Sequence, residues 1–105
     1  MMIGTKTPDE TKDFTIDWFQ DIGSDVIPSS GNSTWSVTPA GITVSNTSIG
    51  TSPSTGATAG TLTAMFVAGG VVGQVYYVSN KIITTAGRTL TKVFRLLVED
   101  SNILA

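Results

Sequence analysis

Acidic side chains recur at every fourth position near the start of the chain, at Asp9, Asp13, Asp17, Asp21 and Asp25. Carboxylates that converge can hold a cation or divide the acid and base roles of a hydrolase. Calcium takes about six oxygens meeting at one point, and the Asp-x-Asp-x-Asp-Gly spacing that wraps a loop around it is absent. On a helix this spacing stacks like charges on one face, which is destabilising, whereas on a strand the acids alternate onto the solvent side. A solvated strand face with no metal is the expectation. Nucleophilic chemistry lacks its parts as well. With no His and no Cys, a Ser or Thr has no imidazole to activate it and there is no thiolate to attack. Gly-x-Ser-x-Gly is missing, and Gly69-Gly70-Val71-Val72-Gly73 is not followed by the Lys-Ser/Thr of a phosphate loop. The residues predict a protein that is not an enzyme and carries no cofactor.

The whole chain narrows the classes further. Its 105 residues make one domain, with 40% hydrophobic and 13% charged residues, too apolar for a disordered, charge-dominated chain. A net charge of -2 offers no basic stripe for nucleic acid and no polybasic cluster for an anionic membrane. Absence of Cys suits assembly in a reducing cytoplasm. Met1 to Lys6 has no apolar core of a secretion signal, and the longest apolar run, 64–73, is about half the ~20 residues of a spanning helix, so a soluble protein is expected.

The elements that position everything else follow a period of two. Residues 74–98 read as two strands around Thr85-Ala86-Gly87-Arg88, a hairpin connection with Gly where positive φ is needed. Tyr76, Val78, Asn80, Ile82 and Thr84 share one face of the first strand, and Phe94, Leu96 and Val98 one face of the second. Phe14, Ile16 and Trp18 alternate with Asp13, Thr15 and Asp17, which predicts another strand. Shorter strands are predicted at 34–37 and 42–44, on either side of Pro39-Ala40-Gly41, and at 61–68, where Leu62, Ala64, Phe66 and Ala68 share a face. Ser45 to Thr61, nearly all Ser, Thr, Gly, Ala, Asn and Pro, is expected to be a long loop carrying at most a short edge strand. Short strands with a turn every 8 to 12 residues and no helical period point to an all-β fold, an Ig-like or fibronectin-like antiparallel β-sandwich. Its expected parts are an N-terminal arm over 1–11, a sandwich domain over 12–100 and a C-terminal tail over 101–105.

The second face of the hairpin is the candidate for recognition. Val75, Tyr77, Ile83, Val93 and Leu97 point away from the core row, among Lys81 and Arg95, where a sandwich sheet normally turns polar groups outward. Scattered surface hydrophobes are one reading of that face and a contact surface for another subunit is the other. Aromatics stack on sugar rings when exposed, but alternation places Trp18, Trp35 and Tyr76 with the core, leaving Tyr77 as the exposed one.

Taken together, these segments resemble a family of small tailed-bacteriophage virion proteins, the phage fibre–tail adaptors. The resemblance runs through Pro8-Asp9-Glu10, Asp13-Phe14-Thr15-Ile16-Asp17-Trp18, Thr34-Trp35-Ser36-Val37 and Pro39-Ala40-Gly41-Ile42-Thr43-Val44. It continues through Gly69-Gly70, 76–82 and 84–89 to Phe94-Arg95-Leu96. It implies an Ig-like sandwich made in the host bacterial cytoplasm and built into the virion, either joining fibre to tail or decorating the capsid through protein–protein contacts. The alternative is a carbohydrate-binding module that touches the host surface. On the adaptor reading the partners are other virion proteins, met in multiple copies or as a homo-oligomer. The arm with Asp9 and Glu10, the outward Tyr77, Ile83, Val93 and Leu97, and Arg88 at the hairpin turn are then the expected partner-binding residues.

Overall fold

The computed structural model describes residues 2–100, and the expected C-terminal tail lies outside the described residues. Among the described residues seven strands form two sheets: β1 (Met2–Lys6), β2 (Thr11–Asp17), β3 (Ser33–Thr38), β4 (Ile42–Thr51), β5 (Ala59–Gly69), β6 (Val75–Ile83) and β7 (Thr89–Val98). One sheet has the order β1-β7-β6-β3 and the other β2-β5-β4. The all-β Ig-like sandwich is therefore as the alternation predicts. The hairpin of β6 and β7 pairs in unbroken register from Val75 opposite Leu97 to Ile83 opposite Thr89, and Gly87 turns it with φ 88°. Its inward row of Tyr76, Val78, Asn80, Ile82, Phe94, Leu96 and Val98 is buried. Ile16, Trp18, Met65 and Val67 face it from the other sheet side, with Phe14 and Phe94 ring centroids 5.3 Å apart.

Three expectations need correction. The N-terminal stretch is not a free arm: Met2 to Lys6 is strand β1, paired in parallel with β7 from Phe94 to Val98, the one parallel pairing among the described strands. Its anchor is a residue that composition disguises. Lys6 is 2% exposed, and its ammonium donates to the carbonyls of Thr7 and Gly69, tying β1 to the end of β5 in the facing sheet. Burial pushes the Lys6 ammonium below the usual lysine range, and Glu10 and Asp9 partly offset this. Second, the long Ser/Thr-rich loop is mostly strand. β4 runs on to Thr51 and β5 begins at Ala59, because small polar residues suit an edge strand with bulges, here between Ser45 and Ser48 and between Gly50 and Thr51. Third, helical structure is present where no helical period shows in the sequence: the stretch after β2 makes one helical turn, α1 (Phe19–Ile22), and later a 3-10 turn at Ser30–Asn32.

Besides Lys6, polar contacts toward each end of the sandwich bind the sheets across the core. Trp18 donates through Nε1 to Thr63 Oγ1 and Asn80 Oδ1, both at 3.1 Å, and Thr63 donates to Asn80 at 2.7 Å. Asn80 in turn donates through Nδ2 to Ser33 Oγ on β3 at 2.9 Å. A buried amide is costly unless satisfied, and this one reaches β2's end, β5 and β3 at once. At the opposite end Tyr76 Oη accepts from the Val71 amide at 3.0 Å, while Gly70 passes under Val98 so closely that a Cβ there would lie 2.7 Å from Val98 Cγ2.

Candidate functional site

The outward rows of β6 and β7 pair side by side. Val75 sits opposite Leu97, Tyr77 opposite Arg95, Ser79 opposite Val93, Lys81 opposite Thr91 and Ile83 opposite Thr89. Tyr77 is 45% exposed, Ile83 41% and Val93 39%, while Leu97 is half-buried. β3 extends this face with Thr34, Ser36 and Thr38, and the Ser36 and Ser79 hydroxyls are hydrogen-bonded across the strands. The face therefore carries exposed apolar groups among the cations Lys81 and Arg95, and among the described residues no carboxylate stands in its strand rows. The outer face of the other sheet contrasts with it. There Asp13 and Asp17 from β2 flank Leu62, Ala64, Phe66 and Ala68 from β5 and the Thr and Ser of β4.

The structure brings Tyr77, Val93 and Leu97 together on one face and puts Ile83 further along the same row. It does not bring the remaining candidates to them. Asp9 and Glu10 lie in the turn from β1 to β2 and Arg88 in the β6–β7 turn, at opposite ends of a molecule 46 Å long. Glu10 closes its own turn: the Thr7 amide donates to Glu10 Oε1 at 2.7 Å, and this bond holds the Glu10 carboxyl below its usual range. Arg88 projects from the exposed hairpin turn.

The five periodic acids are dispersed rather than gathered. Asp13 is exposed on the outer face of β2, as alternation requires. Asp17 accepts from the Phe19 amide at 3.0 Å and from Ser52 Oγ at 2.8 Å, and Asp21 pairs with Lys92 at 2.6 Å. Asp25 holds the hairpin turn, accepting from Thr85 Oγ1 at 2.7 Å and from the Ala86 amide at 3.2 Å. Hydroxyls of Thr84 and then Thr85 are the main reason its carboxyl is lowered to about 2. The sequence signal for that role was faint, an Asp sixty residues before a Thr-Thr-Ala-Gly turn. The tryptophans and tyrosines are placed as alternation predicts: Trp18 and Tyr76 are each 1% exposed and Trp35 packs half-buried against the core, leaving Tyr77 as the exposed one of these four, while Phe66 is exposed on the opposite face.

Comparison with known families matches residues 6–97 to the family described as Gp77, podophage GP4 fiber-tail adaptor protein gp77. No curated protein matches the chain.

Proposed function

The chain belongs to the podophage fibre–tail adaptor family, and from that premise we propose that it joins fibre to tail through the outer face of the β1-β7-β6-β3 sheet. Its family role is that of a structural protein of the phage virion that binds other virion proteins such as tail and fibre. The observation that carries the finer reading is the composition of that face: Tyr77, Val93, Ile83 and Leu97 exposed or half-exposed among Lys81 and Arg95, with no acid in the rows. Exposed apolar groups gain by leaving water, about 25 cal/mol per Å² buried, and the cations select a partner surface bearing carboxylates. Nothing in this mechanism calls for chemistry at a reacting centre. The protein displays a rigid face, many copies act together in the particle, and each contact stays weak. Asp9 and Glu10 at one end, and Arg88 at the other, are on this reading peripheral contacts. Cementing the capsid is the same physics against a different neighbour, and among the described residues a glycan platform on this face has Tyr77 as its one exposed aromatic, Phe66 being exposed on the opposite face.

The test uses side-chain changes that leave the strands intact. Tyr77→Asp with Val93→Asp, and separately Arg95→Glu, are introduced into the phage, with Phe66→Asp on the opposite face as control. The outer-face variants are expected to lower incorporation into particles at least ~10-fold, the loss of one desolvated hot spot, while Phe66→Asp incorporates normally. Equal incorporation of all of them removes the assignment.

A further inference from the structure

The two sheets end in four edge strands, β1 and β3 on one and β2 and β4 on the other. An open edge presents a row of unpaired N–H and C=O groups that accepts any extended chain, and proteins protect such rows with charges, bulges, prolines or covering groups. Three of the four are protected. β1 has only five residues, and the Lys12 ammonium donates to its Thr5 carbonyl at 2.9 Å. β2 carries Lys12, Asp13 and Asp17. β4 is interrupted by two register shifts, with Asn46 at φ 49° inside the first. β3 has none of these. Its six residues, Ser-Thr-Trp-Ser-Val-Thr, include no charge, Pro or Gly, run in unbroken register with β6, and have no strand on the other side among the described residues.

We propose that β3 is a strand-addition site and that its occupant is a second copy of this chain, the two β3 strands pairing antiparallel about a two-fold axis through Ser36. The strand is complementary to itself in that register. Trp35 of one copy meets Val37 of the other on the inner side, and Thr34 meets Thr38 on the outer side, with Ser36 against Ser36 on the axis. Aromatic with β-branched and Thr with Thr are pairs that stabilise neighbouring strands, and no like charges oppose each other. The contact is isologous and closes on two copies rather than growing into a fibre. It fuses two four-stranded sheets into one of eight, so that the faces bearing Tyr77, Arg95 and Val93 lie in one continuous surface. One strand pair buries less than the roughly 1,200 Å² of a standard interface, so the dimer is weak in isolation. The inference concerns self-pairing alone and stands whether the outer face meets fibre, tail or capsid.

Sedimentation equilibrium of the full chain tests it, over concentrations up to ~1 mM, where even a contact with a dissociation constant of about 1 mM populates dimer. Wild type is expected to dimerise with concentration. Ser36→Lys and Ser36→Asp place like charges on the axis, and each is expected to raise the dissociation constant at least ~10-fold. An equal mixture of the two restores the dimer, which a folding defect does not do. Circular dichroism of each variant reports the fold separately. Wild type that stays monomeric throughout, variants that dimerise as well as wild type, or a mixture that fails to associate each overturn the proposal. A segment of another protein adding to β3 in place of the second copy appears as the first of these results.

Discussion

The two tryptophans show how one atom's partner decides a residue's weight. Trp18 Nε1 serves Thr63 and Asn80 in the network that joins the sheets, whereas Trp35 Nε1 is buried with no partner among the described residues. Trp18→Phe therefore strips a buried amide oxygen of a donor and is expected to cost ~2–3 kcal/mol. Trp35→Phe removes a donor that was never satisfied, and its cost is confined to packing, about 1 kcal/mol. Urea unfolding of the two variants separates them, and equal losses would show that the network contributes nothing beyond volume. Asp25 makes a second residue-scale argument. Its carboxyl is held near 2 against an ordinary 3.8, so the carboxylate form stabilises the fold fully above pH ~4–5, and the contribution is lost as pH falls through the folded value. The gap in melting temperature between wild type and Asp25→Asn should accordingly be widest near neutral pH and close between pH ~4 and ~2.

Among the elements, β1 changes most between sequence and structure, and it yields a direct measurement. As an arm, the chain after Lys6 would be the first place a protease cuts. As a strand with Lys6 buried, it is protected, while Arg88 sits in an exposed turn. Brief trypsin treatment followed by mass spectrometry is expected to show cleavage after Arg88 well before cleavage after Lys6; the reverse order restores the arm. The contrast also shows what alternation reveals and what it hides. Strands β2, β3, β6 and β7 were legible because large apolar side chains alternate with polar ones, and the inward row of the hairpin, Asn80 included, falls where the period of two places it. β1 was not legible because it has few residues and contributes a lysine to the interior, which only the carbonyls of Thr7 and Gly69 make tolerable. β4 beyond Val44 and the start of β5 were hidden for another reason. Their Thr and Ser form strands through backbone pairing with a neighbour distant in sequence, a cause that composition does not record. The outer-face candidates Tyr77, Val93 and Leu97 came from the same periodicity, whereas the role of Asp25 depends on a turn sixty residues away.

For the molecule as a whole, the distribution of charge says more than its sum. A net charge of -2 conceals a segregation: Lys81 and Arg95 on the outer face of one sheet, and Asp13 and Asp17 on that of the other. Little of this charge holds the fold together. The Lys92–Asp21 pair is more than a third exposed at both ends, and such pairs contribute ~0–1 kcal/mol. The sheets are held instead by the buried apolar rows and by the Trp18–Thr63–Asn80 bonds, none of which salt screens. Folding and partner binding should therefore separate on a salt axis. Raising NaCl from 0.05 to about 0.5 M shortens the screening length from over 10 Å to ~4 Å, which leaves the melting temperature within a few degrees while weakening capture of the partner by this face several-fold. Parallel thermal melts and pull-downs from phage lysate measure both. A partner contact indifferent to salt, in a protein whose melting temperature is equally indifferent, would mean that Lys81 and Arg95 take no part in recognition and that the apolar groups between them act alone.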